Sequence, residues 1–313
     1  MDLQQIETFV RVAEHGSFSR AAGVLRIAQP ALSRQVRLLE TELRQRLFDR
    51  NGRGVTLTDA GQRFYAHGVG ILQQVERARR ELEDDRGAPV GRLALGLPPS
   101  LSRTLTVPLV RAFRERFPRA ALAVVEGLST YMLEWLVQGR IDAAVVYQVA
   151  PMAAVELEPL MEEPLLLVTA PGGERRAEAG ADGAPADLTL LAERPLVMPS
   201  RPHSIRMAVE SAMAEARLKP RIELEVESVP AMLALAAEGE LGAVLSRQAL
   251  RDLPPHLSLI ARPLRLSPQG PALFTRLWLA TSSQRPGSPL QTQALALVRE
   301  QLAADAAKAD APR

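Results

Sequence analysis

Apolar residues recur at steps of three and four along the first part of this chain, the spacing of one buried face of an α-helix. Leu3, Ile6, Val10 and Ala13 predict a first helix, which Gly16 ends. Ser17 can cap a short second helix that buries Phe18, Ala21, Ala22 and Leu25. The turn Arg26-Ile27-Ala28 leads into a third, with Gln29 at its cap. Pro30 there lacks only a donor that would be unpaired at a helix start. Leu32, Val36, Leu39 and Leu43 form its apolar side. Leu47-Phe48, then Asp49-Arg50-Asn51-Gly52-Arg53-Gly54 and Val55-Thr56-Leu57-Thr58, predict an arginine-tipped β-hairpin. A long helix follows, with Thr58 as cap and Asp59 on its dipole. In it Phe64, Ile71 and Ala78, and likewise Gly68, Val75 and Leu82, are spaced by sevens. They make a short coiled-coil seam or, alternatively, the side of a helix lying on its own domain. Gly87-Ala88-Pro89 ends it.

Beyond Pro89 the pattern becomes strands alternating with helices. Strands are expected at 91–97, 120–125 and 141–147, with helices at 101–116 and 129–138 between them. A second set has strands at 165–169, 196–198, 222–227 and 243–245, and helices at 204–216 and 229–238. Such alternation implies mostly parallel sheets with ligands at the strand C-termini, here in two lobes flanking a cleft. The segment 274–281 and the last helix are expected to return to the first lobe, 171–186 to form a long flexible loop, and the tail after Gln301 to fray.

Composition narrows the chemistry. The 313 residues are 47% hydrophobic and 24% charged, ordinary for a globular protein, and contain no cysteine, which removes disulfides, thiolate metal sites and cysteine nucleophiles. The start has no secretory pattern, and no apolar run reaches the roughly 20 residues of a membrane span, so the expectation is a cytoplasmic protein without a membrane partner. Net charge is only +2, but positive charge gathers in the first 65 residues, where Arg11, Arg20, Arg26, Arg34, Arg37, Arg44, Arg46, Arg50, Arg53 and Arg63 outnumber the acids.

That distribution bears on the third helix. A short helix, a tight turn and a second helix are the helix-turn-helix arrangement, whose second helix enters the major groove by its N-terminal end. Gln29 suits adenine N6/N7, Arg34 suits guanine O6/N7, and Ser33 suits either. A merely solvated polar face is the plain alternative.

"AAGVLRIAQPALSRQVRLLETEL" followed by "LFDRNGRGVTLTDAGQRF" resembles the N-terminal signature of LysR-type transcriptional regulators, without gaps over about the first sixty-five residues. "EGLSTYMLEWLVQGRIDAAVVY" and "PLVMPSRPHSIRMAVE" resemble the same family's effector domain, the second piece most closely in the subgroup that contains the nitrogen assimilation control regulator. The resemblance implies an N-terminal all-α winged helix-turn-helix plus linker helix, then a C-terminal α/β, two-lobed, periplasmic-binding-protein-like effector domain. The expected divisions are 1–58 for the winged domain, 59–88 for a dimerising linker, 89–302 for the effector domain and 303–313 for the tail. Within the effector domain, lobe I takes about 89–162 and 268–302, and lobe II about 163–267. It places Gln29, Pro30, Ser33, Arg34 and Arg37 of the recognition helix, and Arg53 of the wing, on DNA. Two positions depart from the pattern: Ala28 where Ser or Thr is usual, and Arg44 where glycine is usual.

Hydroxyls at strand-to-helix junctions suggest the ligand site: Ser100, Leu101 and Ser102, then Ser129 and Thr130, and across the cleft Ser200, Arg201, His203 and Arg206. Each serine also reads as an ordinary helix cap, and each arginine as a surface residue. The expected partners are promoter DNA at near-palindromic sites, a small anionic effector, further copies in a homodimer or homotetramer, and RNA polymerase. No cofactor or metal is expected, since His15, His67, His203 and His256 lack ligand spacing. An enzyme or solute-binding component built on the two lobes is the alternative, but the chain shows no nucleophile elbow, phosphate loop or dinucleotide fingerprint.

Overall fold

The computed structural model describes residues 1–51, 54–83, 90–172, 184–251, 253–254 and 256–310. Arg53, the expected linker end at 87–89, and most of the 171–186 loop lie outside these described residues. Contacts divide the chain into two compact units, Met1–Gly91 with Val137–Arg140, and a second holding most of the remainder from Arg92.

The first unit runs α1 (Leu3–His15), α2 (Phe18–Leu25), α3 (Gln29–Leu43), β1 (Phe48–Asn51), β2 (Gly54–Leu57) and α4 (Asp59–Glu83). Asp2 and Gln5 form a reciprocal capping box on α1, and Ser17 Oγ accepts from the Arg20 N–H to cap α2. The N-cap of α3 is Ala28, which offers no side-chain bond, so Gln29 is the first helical residue rather than the cap. Its C-terminal residue Arg44 takes a left-handed conformation, φ 52, where glycine is the easier occupant. The Arg44 N–H still closes on the Glu40 and Thr41 carbonyls. Leu32, Val36 and Leu39 are fully buried with Phe9 and Val12, each worth about 1.5–3 kcal/mol of burial. Phe9 stacks on Phe48 and Phe64, both with centroids at 5.1 Å.

The heptad seam of α4 is partly used up inside this unit. Phe64 and Ile71 pack on the same core, and Gly68 is buried against Ile6 and Val10. For this first half of the seam, a helix lying on its own domain is the correct description. Val75 is half-buried and Ala78 exposed; the Leu82 side chain lies outside the described residues.

The second unit continues with β3 (Gly91–Leu97), α5 (Pro99–Arg116), β4 (Ala120–Glu126), α6 (Ser129–Val137), β5 (Ala143–Tyr147), β6 (Val155–Thr169), β7 (Ala186–Asp187), α7 (Leu188–Glu193), β8 (Leu196–Met198), α8 (Ser204–Glu215), β9 (Ile222–Glu225), α9 (Val229–Ala237), β10 (Gly242–Ser246), a 3-10 turn (Arg247–Leu250), β11 (Ile260–Arg265), β12 (Phe274–Ser282) and α10 (Pro289–Asp310). Its main sheet runs β4-β3-β5-β12-β6-β10-β8-β9, with β11 also on β6. The expectation of mostly parallel sheets holds for β3 with β5 and for β10, β8 and β9. It fails at the centre, where β12 is antiparallel to both β5 and β6, and β6 is antiparallel to β10 and β11. The fifteen-residue β6 serves both halves: Val155–Pro164 pairs with β12, and Leu165–Thr169 pairs with β10 and β11. One core packs α5 and α10 on β3, β5 and β12; another packs α7 and α8 on β8 and β10. The helix at the end does not fray at Gln301. It continues to Asp310, with Asp305 ion-paired to Arg251.

Candidate DNA interface and ligand cleft

On α3 the buried stripe leaves Gln29, Pro30, Arg34 and Arg37 exposed and Ser33 half-buried. These five expected DNA contacts therefore share the open side of one helix. Gln35 points inward and bonds the buried Thr8 hydroxyl. Glu40 also turns inward, where its Oε1 accepts from the Leu47 and Phe48 N–H groups at 2.8 and 3.3 Å, fixing where the wing begins. The wing pairs Phe48–Asn51 with Gly54–Leu57, and the Arg50 guanidinium lies 4.9 Å above the Phe18 ring. Gly54 at φ 149 comes so close to α1 that a Cβ would stand 2.7 Å from the Gly16 carbonyl oxygen.

In the second unit a cleft of about 1210 Å³ opens over the ends of β3, β4, β5, β8, β9 and β10. Of the expected effector residues, Ser100, Ser102, Ser129, Thr130 and His203 line it. The three serine hydroxyls are tied to the surrounding frame. Ser129 Oγ accepts from the Tyr147 N–H at 2.9 Å, Ser100 Oγ meets Tyr147 Oη at 3.2 Å, and Ser102 Oγ meets Thr106 Oγ1 at 3.2 Å. His203 caps α8 by accepting the Ile205 N–H on Nδ1 at 3.2 Å, and burial lowers its pKa to about 4, leaving it neutral near pH 7.

The remaining expected residues stand elsewhere. Leu101 is wholly buried in the α5 core, because the helix starts at Pro99 and turns that side chain inward. Ser200 lies in the turn before α8, its carbonyl accepting the His203 N–H. Arg201 and Arg206 both donate to Glu210, at 2.9 and 2.5 Å, and Arg206 also reaches the Pro199 carbonyl and Glu225. Burial works to raise the Glu210 carboxyl, but these two guanidiniums outweigh it and hold it below the usual range. The pair expected to receive an anion is thus occupied by the protein's own carboxylate, one helical turn beyond Arg206.

Sequence reasoning missed most of the wall. Tyr131, Trp135, Met152 and Met207 line it, along with Glu126, Glu134 and Glu227. Tyr147, Ser246 and, behind them, Glu163 build the floor where the crossing strands meet, each at most 3% exposed. Burial, reinforced by the Glu163 charge, raises the Tyr147 phenol well above its usual value, and burial raises the Glu163 carboxyl. Arg103 lines the cleft too; its Nη2 donates to the Ala249 and Arg251 carbonyls at 2.8 and 2.7 Å. The 3-10 turn of one half is thereby held to α5 of the other. The only sequence signal for this wall was the aromatic and acidic content of the 126–135 segment.

A winged helix-turn-helix with its recognition face open, followed by a two-half α/β unit with a deep cleft at its strand ends, defines a DNA-binding regulator that carries a ligand-binding domain. Residues 3–62 match the model of the bacterial regulatory helix-turn-helix protein, lysR family, and residues 86–303 match the LysR substrate binding domain. The chain belongs to the LysR family and is a LysR-type transcriptional regulator. It is 35% identical over 254 residues to the nitrogen assimilation regulatory protein nac of Escherichia coli (strain K12), and 36% identical over 254 residues to that of Klebsiella aerogenes. Each alignment covers 81% of both chains. In fold it is similar to full-length CbnR complexed with its target DNA, with TM-score 0.69, 23% identity, and coverage of 96% of this chain and 100% of that one. Full-length BenM gives TM-score 0.58 at 26% identity, covering 98% of each. No described helix is long and apolar enough to cross a membrane.

Proposed function

We propose that this regulator reads promoter DNA through Gln29, Pro30, Ser33, Arg34 and Arg37, with Arg53 on the wing, and answers to a small molecule in the cleft of the second unit. One observation carries the DNA reading. Among the described residues, α3 spends the side chains of Leu32, Val36, Leu39, Gln35 and Glu40 on the fold, while those of its N-terminal polar residues hold no structural bond. Arg34 reads guanine and Gln29 adenine in the major groove. The distal half of α4, beyond the part used by the unit's own core, pairs two chains so that two recognition helices meet the halves of a near-palindromic site. A homotetramer assembled from such dimers, and contact with RNA polymerase, complete the reading. The likeness in fold to CbnR, which was captured with its target DNA, supports DNA as the partner. The domains divide at 58 and 88, with the effector domain carrying α10 to its end and its lobes parted within β6, at about 162.

The test is binding to sites selected from genomic fragments, measured by fluorescence anisotropy against random duplex. Arg34→Ala is expected to cost about 1–3 kcal/mol on the selected site, with little change on random DNA. Equal losses on both would assign Arg34 to phosphate and overturn its base-reading role.

A further inference from the structure

The cleft's lining departs from what a carboxylate ligand needs. Glu126 and Glu134 stand on its β4–α6 wall and Glu227 on the opposite wall, all three exposed. Arg103, the single arginine among the described lining residues, has both protons of one nitrogen committed to carbonyls, and His203 is held neutral by burial. Among the described residues no ion pair ties up any of the three carboxylates. An incoming carboxylate would meet three like charges at the mouth, and like charge costs affinity wherever it is not screened.

The apolar part of the lining is unusual for its exposure. Tyr131, Met152 and Met207, at 47%, 42% and 47% exposed, all lie on this cleft, beside Trp135. Methionine adapts to irregular apolar bodies, and aromatic faces attract cations.

Resting on the reading of the cleft as the effector site, we propose that its ligand is an amphipathic organic cation: an amine or guanidine on an aromatic or branched apolar body. Its charge sits among Glu126, Glu134 and Glu227, and its body lies on Tyr131, Trp135, Met152 and Met207.

Three probes with one ring system test this by calorimetric titration of the full chain: tryptamine, indole-3-acetamide and indole-3-acetate. Tryptamine is expected to bind about tenfold or more tighter than indole-3-acetate, about 1.4 kcal/mol. Glu126→Gln, Glu134→Gln and Glu227→Gln together should remove that advantage while leaving indole-3-acetamide binding and the melting temperature unchanged. The control Ala150→Trp adds bulk at an exposed position of the cleft wall. If indole-3-acetate binds as tightly as tryptamine, or the triple variant keeps the preference, and Ala150→Trp abolishes binding, the cation proposal is overturned and the effector cleft stands. If no probe binds at millimolar concentration, or binding survives Ala150→Trp, both are overturned.

Discussion

Gly61 shows how narrowly one residue can set a domain. Its helix begins so close to the segment that leads into β1 that a Cβ would lie 2.0 Å from the Leu47 carbonyl oxygen, a backbone atom that cannot swing aside. Gly61→Ala must therefore displace α4 from the wing, and it is expected to cost more than about 2 kcal/mol. Thermal unfolding together with loss of DNA binding would register it; an unchanged melting temperature would contradict it. His203 gives a pH-dependent counterpart. Its folded pKa, about 4, is below the ordinary 6.5, so the unfolded chain binds the extra proton. Its contribution is complete above pH 6.5 and is lost as pH falls through 4, at about 1.4 kcal/mol for each tenfold rise in proton concentration between those values. Protonation also takes the Nδ1 lone pair that caps α8. Compared with His203→Gln, the native chain should lose melting temperature more steeply between pH 6.5 and 4; parallel curves would sink the assignment.

Among the elements, the helices of the first unit were legible because Leu32, Val36 and Leu39 repeat with the helix period and no strand shares it. The cleft residues Ser100, Ser129 and His203 were legible from their position at strand-to-helix junctions. The first ten residues of β6 were not. Glu158, Glu162 and two prolines interrupt its alternation, and its charges are matched only in three dimensions, by Arg299 at 2.5–2.8 Å and Arg276 at 2.5 Å. The last turns of α10 were hidden for a similar reason: their alanine-rich sequence reads as frayed until Arg251, distant in the chain, reaches Asp305. Arg251→Met should release them, seen as faster amide exchange after Gln301 with the rest of α10 still protected. Unaltered exchange would mean the helix holds by its own propensity.

At the scale of the whole molecule, linkage requires that a cleft ligand which changes operator affinity be changed in its own affinity by the same factor. Measuring tryptamine binding with and without a selected operator, and operator binding with and without tryptamine, should return one shared ratio that differs from one. A ratio of one in both directions would exclude coupling at equilibrium between these two sites. The shared strand β6 and its partner β12 carry a different consequence. Every element that builds the hydrophobic core of the winged unit leaves the ribosome within the first 83 residues. The first core of the second unit instead waits for Leu277 and Leu279 of β12, which gives β5 its second neighbour after β3, and for Leu290 and Leu295 of α10. Domains fold in the order they emerge, and strands that await distant partners close late. During each round of translation the recognition helix is therefore complete well before the second unit is, and a ribosome stalled ahead of residue 274 leaves on the messenger a finished helix-turn-helix whose companion unit still lacks β12.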